Sequence, residues 1–140
     1  MNEDDFKYLH ILVIDDEAFM RKLIERTLSD IGIGIISQAA NGREGLSLLQ
    51  SAKSKVDLVI CDLEMPEMNG FDFVKQVRSS ADERFNPKLP ILILTGHADE
   101  ETVRGAASLG INAYLVKPIS RKSLESRITK CISSPAAKND

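Results

Sequence analysis

Five short apolar runs, at residues 9–14, 33–37, 56–61, 90–94 and 113–116, constrain this chain more than any other feature. Each holds mostly Ile, Val or Leu and is nearly continuous rather than alternating. A strand with one wet face alternates; a strand buried on both faces of a parallel sheet does not. Between the runs lie segments with helical spacing. Phe19, Leu23, Ile24, Thr27, Leu28 and Ile31 recur at three and four residues, and Gly32 follows as a stop signal. A second segment covers 42–52, where Leu46, Leu48 and Leu49 face inward, and a third covers 71–79, with Phe71, Val74, Val77 and Arg78 marking two faces. The fourth runs over 99–109 and ends at Gly110. Ser120 opens the fifth as an N-cap, with Leu124, Ile128 and Ile132 on the apolar side. Strand and helix thus alternate five times, which predicts an open α/β sheet with right-handed crossovers and helices on both faces.

At 140 residues the chain has room for one domain, and 43% hydrophobic with 28% charged residues is the balance of a folded protein rather than a disordered one. The longest apolar runs are far too short to cross a bilayer. A net charge of −3 with scattered Lys and Arg argues against nucleic-acid binding by this chain alone. Cys61 and Cys131 form no metal-binding pattern, and the polar start of the chain lacks a signal-peptide profile, so the expectation is a reduced, cytoplasmic protein. The predicted organisation is a polar N-terminal extension at 1–8, one domain at 9–132 and a flexible tail at 133–140. The segment 80–89, carrying Pro87, reads as a polar loop.

In open α/β sheets, chemistry gathers at the carboxyl ends of the strands. The first run is followed by Asp15-Asp16, the third by Asp62, the fourth by Thr95-Gly96 and the fifth by Lys117-Pro118. Three carboxylates on one rim repel one another. A hard divalent cation such as Mg²⁺ resolves that repulsion, because it takes carboxylate oxygens, waters and a phosphoryl oxygen. Lys117 adds a point positive charge and Thr95 a hydroxyl donor, both suited to phosphoryl oxygens. Asp62 stands alone at its strand end while Asp15 and Asp16 form a pair suited to the cation, so Asp62 is the candidate nucleophile of a phosphoryl transfer.

With these residues in this order, the chain resembles the response-regulator receiver domains of two-component signalling, of the chemotaxis-regulator type. The resemblance rests on Asp15-Asp16 after Leu12-Val13-Ile14, on Asp62 within the stretch 56–70, on Thr95-Gly96 and on Tyr114-Leu115-Val116-Lys117-Pro118, and it covers about 9–132. It implies a flavodoxin-like five-stranded parallel sheet of order 2-1-3-4-5, the arrangement general for this class. It implies further that Asp62 accepts a phosphoryl group from a histidine kinase or a histidine phosphotransfer protein. Mg²⁺ (or Mn²⁺) would be held by Asp16 and Asp62 directly, by Asp15 through water and by the Glu64 backbone carbonyl. Lys117 would pair with the phosphoryl group, across a cis bond to Pro118. Thr95 and Tyr114 would act as the switch, read out on the face of the fourth helix, fifth strand and fifth helix by a downstream protein target or passed on in a phosphorelay. The expected product is a signalling switch without an output domain, not a turnover enzyme, binding neither membrane nor nucleic acid. It would be a monomer, with dimerisation on phosphorylation left open.

Plainer readings stand beside these. Asp15-Asp16 alone would be a turn and helix cap; Tyr114 alone would be a half-buried sheet aromatic. His10 reads as a packed strand residue, His97 as solvent-exposed, Cys61 as a small core residue, and Arg21 and Lys22 as a solvated helix face. By the same resemblance, Glu64 and His97, two residues after Asp62 and Thr95, are the positions that vary across the family and affect how long the phosphoryl group lasts, with no sign assignable to their effect here. The rival functions are an aspartate-nucleophile phosphatase, in which Glu64 would be the acid two residues on, a flavin carrier, which the acidic 15–17 stretch disfavours, and a pseudo-receiver that only binds partners.

Overall fold

A computed structural model describes residues 3–97 and 99–133. Its element order is α1 (Glu3–Phe6), β1 (His10–Ile14), α2 (Ala18–Ile31), β2 (Ile35–Ala39), α3 (Gly42–Ser51), β3 (Leu58–Asp62), α4 (Gly70–Ser79), β4 (Ile91–Thr95), α5 (Glu100–Ser108), β5 (Ala113–Val116) and α6 (Arg121–Ser133). The five strands form one parallel sheet in the order β2-β1-β3-β4-β5.

The continuous apolar runs are continuous because each strand feeds two cores. Ile11, Val13, Leu58, Ile60, Leu92 and Leu94 point to the side covered by α2 and α6. Leu12, Ile14, Val59, Cys61, Ile91 and Ile93 point to the other side, against Phe73, Val74 and Val77 of α4 and the leucines of α3. Successive side chains leave a strand on opposite faces, so a doubly covered strand has no position to spare for a polar residue until its end.

Three features differ from the sequence reading. Phe19 and Leu23 are exposed, at 78% and 40%. The buried stripe of α2 is Ile24, Leu28 and Ile31, with Met20 packed against the same core; Phe19 and Leu23 sit one residue back, about 100° round the helix. The second strand is an edge, paired to β1 alone, and Ile35 is 45% exposed rather than buried on both faces. The N-terminal segment is more than a polar extension: α1 forms there and Phe6 is buried in the α2/α6 core, while its carbonyl accepts from the Gly34 N–H at 3.3 Å. The apolar Phe6 is the reason, since a single large ring gives a short segment enough burial to dock. Of the tail expected at 133–140, Ser133 instead ends α6, and 134–140 lie outside the described residues.

Gly32 ends α2 as read, with φ of 110° and its N–H on the Leu28 carbonyl. Ser120 caps α6 by accepting from the Ser123 N–H at 3.1 Å. His10 is packed as expected, its ring between the Ser37 hydroxyl at 2.7 Å and the Ser54 carbonyl at 3.1 Å. The two buried thiols are free, and burial pushes that of Cys131 up to about 12 and that of Cys61 higher still. Both are therefore inert core groups.

If Phe6 anchors the start of the chain, Phe6→Ala lowers the unfolding free energy by about 3 kcal/mol. Tyr8→Ala, at a position 74% exposed, changes it by less than about 0.5 kcal/mol. Urea denaturation followed by circular dichroism measures both; equal small losses would mean that α1 adds nothing to the core.

Candidate functional site

Strand register assembles the site. Ile14 pairs with Cys61, so the next residues, Asp15 and Asp62, stand abreast at the carboxyl rim. Thr95 closes β4 one strand over, and the Lys117 N–H donates to the Thr95 carbonyl at 2.8 Å. The bond from Lys117 to Pro118 is cis. The structure thus brings Asp15, Asp16, Asp62, Glu64, Thr95 and Lys117 to one rim, while Tyr114 lies farther back on β5, half-buried against the α3/α4 core.

Each group has a definite local cause. Asp15 is fully buried; its Oδ1 accepts from the Glu17 N–H at 2.9 Å, and its Oδ2 has no hydrogen-bond partner. Its backbone carbonyl accepts from the Arg21 guanidinium at 2.7 Å. Arg21 is therefore not simply a solvated helix residue: one turn into α2, it reaches back and fixes the loop that carries the acidic pair. Asp16 is exposed. Asp62 is nearly buried, and its Oδ1 accepts from the Lys117 ammonium at 3.2 Å and the Glu64 N–H at 3.3 Å.

The loop after Asp62 is held by its own main chain. The Gly70 N–H donates to the Leu63 carbonyl at 3.0 Å and the Met68 N–H to the Pro66 carbonyl at 2.8 Å. Asn69 and Asp72 form a reciprocal capping box that starts α4. A Cβ at Gly70 would lie 2.8 Å from the Asp62 carbonyl oxygen and 2.9 Å from the Leu63 Cα, so only glycine lets the loop return this close to the nucleophile candidate. Sequence reasoning missed that approach, along with the bonds of the Arg21 and Glu64 side chains. The capping box at Asn69 and Asp72 was missed too, although an Asn-x-x-Asp spacing could have signalled it; the two long side chains had no local signature.

The electrostatics follow from burial. Asp62 is raised from 3.8 to about 6, first by loss of water and then by the charge of Asp15, with Lys117 and the Glu64 N–H pulling the other way. Burial raises Asp15 as well. For Lys117, burial is the largest influence and works against the charge, but Asp62, Asp15 and Glu64 together outweigh it and hold the ammonium above its ordinary range. Asp15, Asp16 and Asp62 each offer one carboxylate oxygen, all within 4.8 Å of one another. An orphaned buried oxygen on Asp15, beside two further carboxylates, fits a hard cation that takes oxygen ligands.

Across the rim, Glu64 reaches β4. Its Oε2 accepts from the Thr95 hydroxyl at 2.7 Å and its Oε1 from the Gly96 N–H at 3.0 Å. His97 is exposed, as read, and its N–H donates to Thr95 Oγ1 at 3.0 Å.

A family model described as response regulator receiver domain matches residues 11–129. The chain is 36% identical over 124 residues to chemotaxis protein CheY-3 of Vibrio cholerae, covering 89% of this chain and 92% of that one. It is 38% identical over 120 residues to chemotaxis protein CheY1 of Helicobacter pylori, covering 86% and 94%. Among solved structures, chemotaxis protein CheY4 of Vibrio cholerae superposes with a TM-score of 0.76 at 34% identity, over 87% of this chain and 97% of that one. Among the described residues, no helix is long and apolar enough to cross a membrane.

The raised Asp62 has a thermodynamic consequence. A carboxyl whose folded pKa exceeds its unfolded value binds its proton more tightly when folded, so stability falls as pH rises through the window from 3.8 to about 6. Above that window, keeping Asp62 ionised costs up to about 3 kcal/mol. Asp62→Asn should therefore stabilise the metal-free protein at pH 7 by about 1–3 kcal/mol, with the gain shrinking toward pH 4. Denaturation midpoints in a chelating buffer at the two pH values check it; an Asn variant less stable at pH 7 would count against a strained carboxylate.

Proposed function

This chain belongs to the response regulator receiver domain family, whose members are signalling switches of two-component systems rather than classical enzymes, and we propose that it takes a phosphoryl group onto Asp62. The carrying observation is the placement of Asp62: nearly buried, 3.2 Å from the Lys117 ammonium, and abreast of Asp15 with its unpartnered oxygen. The donor is a phosphohistidine of a histidine kinase or histidine phosphotransfer protein. An Asp62 oxygen attacks phosphorus, the P–N bond breaks, and the leaving imidazole nitrogen takes a proton from water.

Asp62 attacks as the carboxylate, and a pKa of about 6 leaves it mostly ionised at neutral pH. Lys117 sits where it can follow the charge onto the outer phosphoryl oxygens. Asp15, Asp16, Asp62 and the Glu64 backbone carbonyl would hold Mg²⁺ or Mn²⁺, a cation general to the family. Such an ion supplies positive charge that neutralises the acidic rim and stabilises the transferring phosphoryl group.

The readout is a shift of Thr95 toward the phosphoryl group and of Tyr114 inward. Tyr114 borders a depression of about 360 Å³ lined by Val103, Ala107, Ile111, Arg127 and Lys130, between α5, β5 and α6. Those elements would present the changed surface to a protein target, or the phosphoryl group would pass on in a relay. The receiver unit spans 9–132 with α1 docked on it through Phe6, and acts in the cytoplasm as a monomer able to pair on phosphorylation, without contact to nucleic acid or membrane. The aspartate-phosphatase reading needs Glu64 as a proton donor, yet its carboxylate accepts from both Thr95 and Gly96.

Incubation with acetyl phosphate and Mg²⁺ followed by intact-mass measurement should add one phosphoryl group to the protein and none to Asp62→Asn or to a chelated sample. Lys117→Gln should slow the gain about 100-fold. An adduct that persists in Asp62→Asn would move the nucleophile elsewhere, and turnover of a simple phosphomonoester dependent on Glu64 would favour the phosphatase.

A further inference from the structure

The side chain of Glu64 stands where phosphoryl oxygens would otherwise find their donors. A phosphoryl group on Asp62 carries three outer oxygens, and Lys117 can serve one side of it. On the facing side the rim offers the Thr95 hydroxyl and the Gly96 N–H. Both are taken: Glu64 Oε2 holds the first at 2.7 Å and Oε1 the second at 3.0 Å. Thr95 has only one hydroxyl proton, and its oxygen already accepts from the His97 N–H at 3.0 Å, so that proton is committed to Glu64. The main chain of the same residue donates to Asp62 Oδ1 at 3.3 Å. Glu64 therefore bridges the acceptor strand β3 and the end of β4, one anion spanning two donors. Its residue is solvent-exposed, so the carboxylate can be given up to water without leaving a buried charge behind.

On the reading of Asp62 as phosphoacceptor, we infer that Glu64 is a positioning residue acting as a placeholder anion. It holds Thr95 and Gly96 in the unphosphorylated chain and must release them before a phosphoryl group on Asp62 can gain them. Two opposing consequences follow from one geometry. The donors stay aimed into the site rather than wandering, and each bond to the incoming group must replace a charge-assisted bond already made. The competition depends on reach as well as charge. Glu64→Gln keeps the length and removes the charge; its amide oxygen can accept from the Gly96 N–H, while its NH₂ can only donate to the Thr95 oxygen and so releases the hydroxyl proton. Glu64→Asp keeps the charge near Asp62 but is one methylene too short to span both donors. Simple repulsion of an anion by Glu64 would separate these two variants; a placeholder treats them alike.

Beryllofluoride, a phosphoryl mimic that binds an aspartate carboxylate, supplies the test in the presence of Mg²⁺, with the Gly96 amide followed by two-dimensional NMR on the full chain. Without beryllofluoride, Glu64→Gln should move the Gly96 amide proton upfield, as its bond to a carboxylate is lost. On titration, both should lower the midpoint about tenfold, equivalent to about 1.4 kcal/mol, and the saturated amide should reach the same position in all three proteins. An unmoved Gly96 amide in Glu64→Gln, midpoints equal to wild type, or a midpoint lowered in Glu64→Gln alone would each overturn the placeholder while leaving the receiver reading intact. Failure of wild type and both variants to bind beryllofluoride, with dispersed spectra throughout, would overturn the receiver reading and this inference with it.

Discussion

Gathering carboxylates at the dry end of a sheet is the constraint around which the molecule is arranged. Asp15 and Asp62 stand abreast because β1 and β3 are parallel neighbours in register, and both are almost wholly withdrawn from water. Like charges so placed favour their protonated forms. A facing cation pulls the other way, and Lys117 reaches Asp62 from the end of β5, two strands away in the sheet. The sheet order is thus an electrostatic statement: the acidic pair, the acceptor candidate, the hydroxyl and the ammonium come from four strands and meet only in this arrangement. One oxygen of Asp15 still has no partner, so the protein alone leaves the balance incomplete.

The loops around that rim are built to hold position. Arg21 grips the Asp15 carbonyl from α2, and Gly70 allows the chain to fold back against Asp62 so that α4 can start beneath it. Glu64 ties that same loop to Thr95 and Gly96. The Glu64 bonds join residues 31 and 32 apart in sequence, and they connect the end of β3 to the end of β4. A switch needs two arrangements of nearly equal energy; an internal anion exchanging with a transferred one is a simple way to obtain them.

Much of the fold was legible because burial writes itself into composition. Doubly covered strands exclude polar residues, so β1, β3, β4 and β5 stood out as unbroken apolar runs, and the first polar residue after each marked the rim. The edge strand β2 was legible in place but not in exposure, since its apolar residues give no sign that only β1 pairs with it. The α2 stripe was misread by one residue at Phe19 and Leu23: an apolar side chain on a helix signals capacity to be buried, and only the packing partner decides whether it is. Phe6 went the other way, a lone ring in an acidic stretch that found a core.

By itself, the sequence determined the alternation of strand and helix, the set of groups at the strand ends and the family to which the chain belongs, because those depend on local periodicity and on residues adjacent in the chain. The tertiary structure alone decided which of those groups touch. Whether Asp62 Oδ1 meets Lys117, whether Asp15 keeps an unpartnered oxygen and whether Glu64 turns its carboxylate to Thr95 depend on strand order, register and loop closure. Hydrogen bonds and charge pairs act over a few ångströms, and at that scale neighbours are set by the fold, not by distance along the chain.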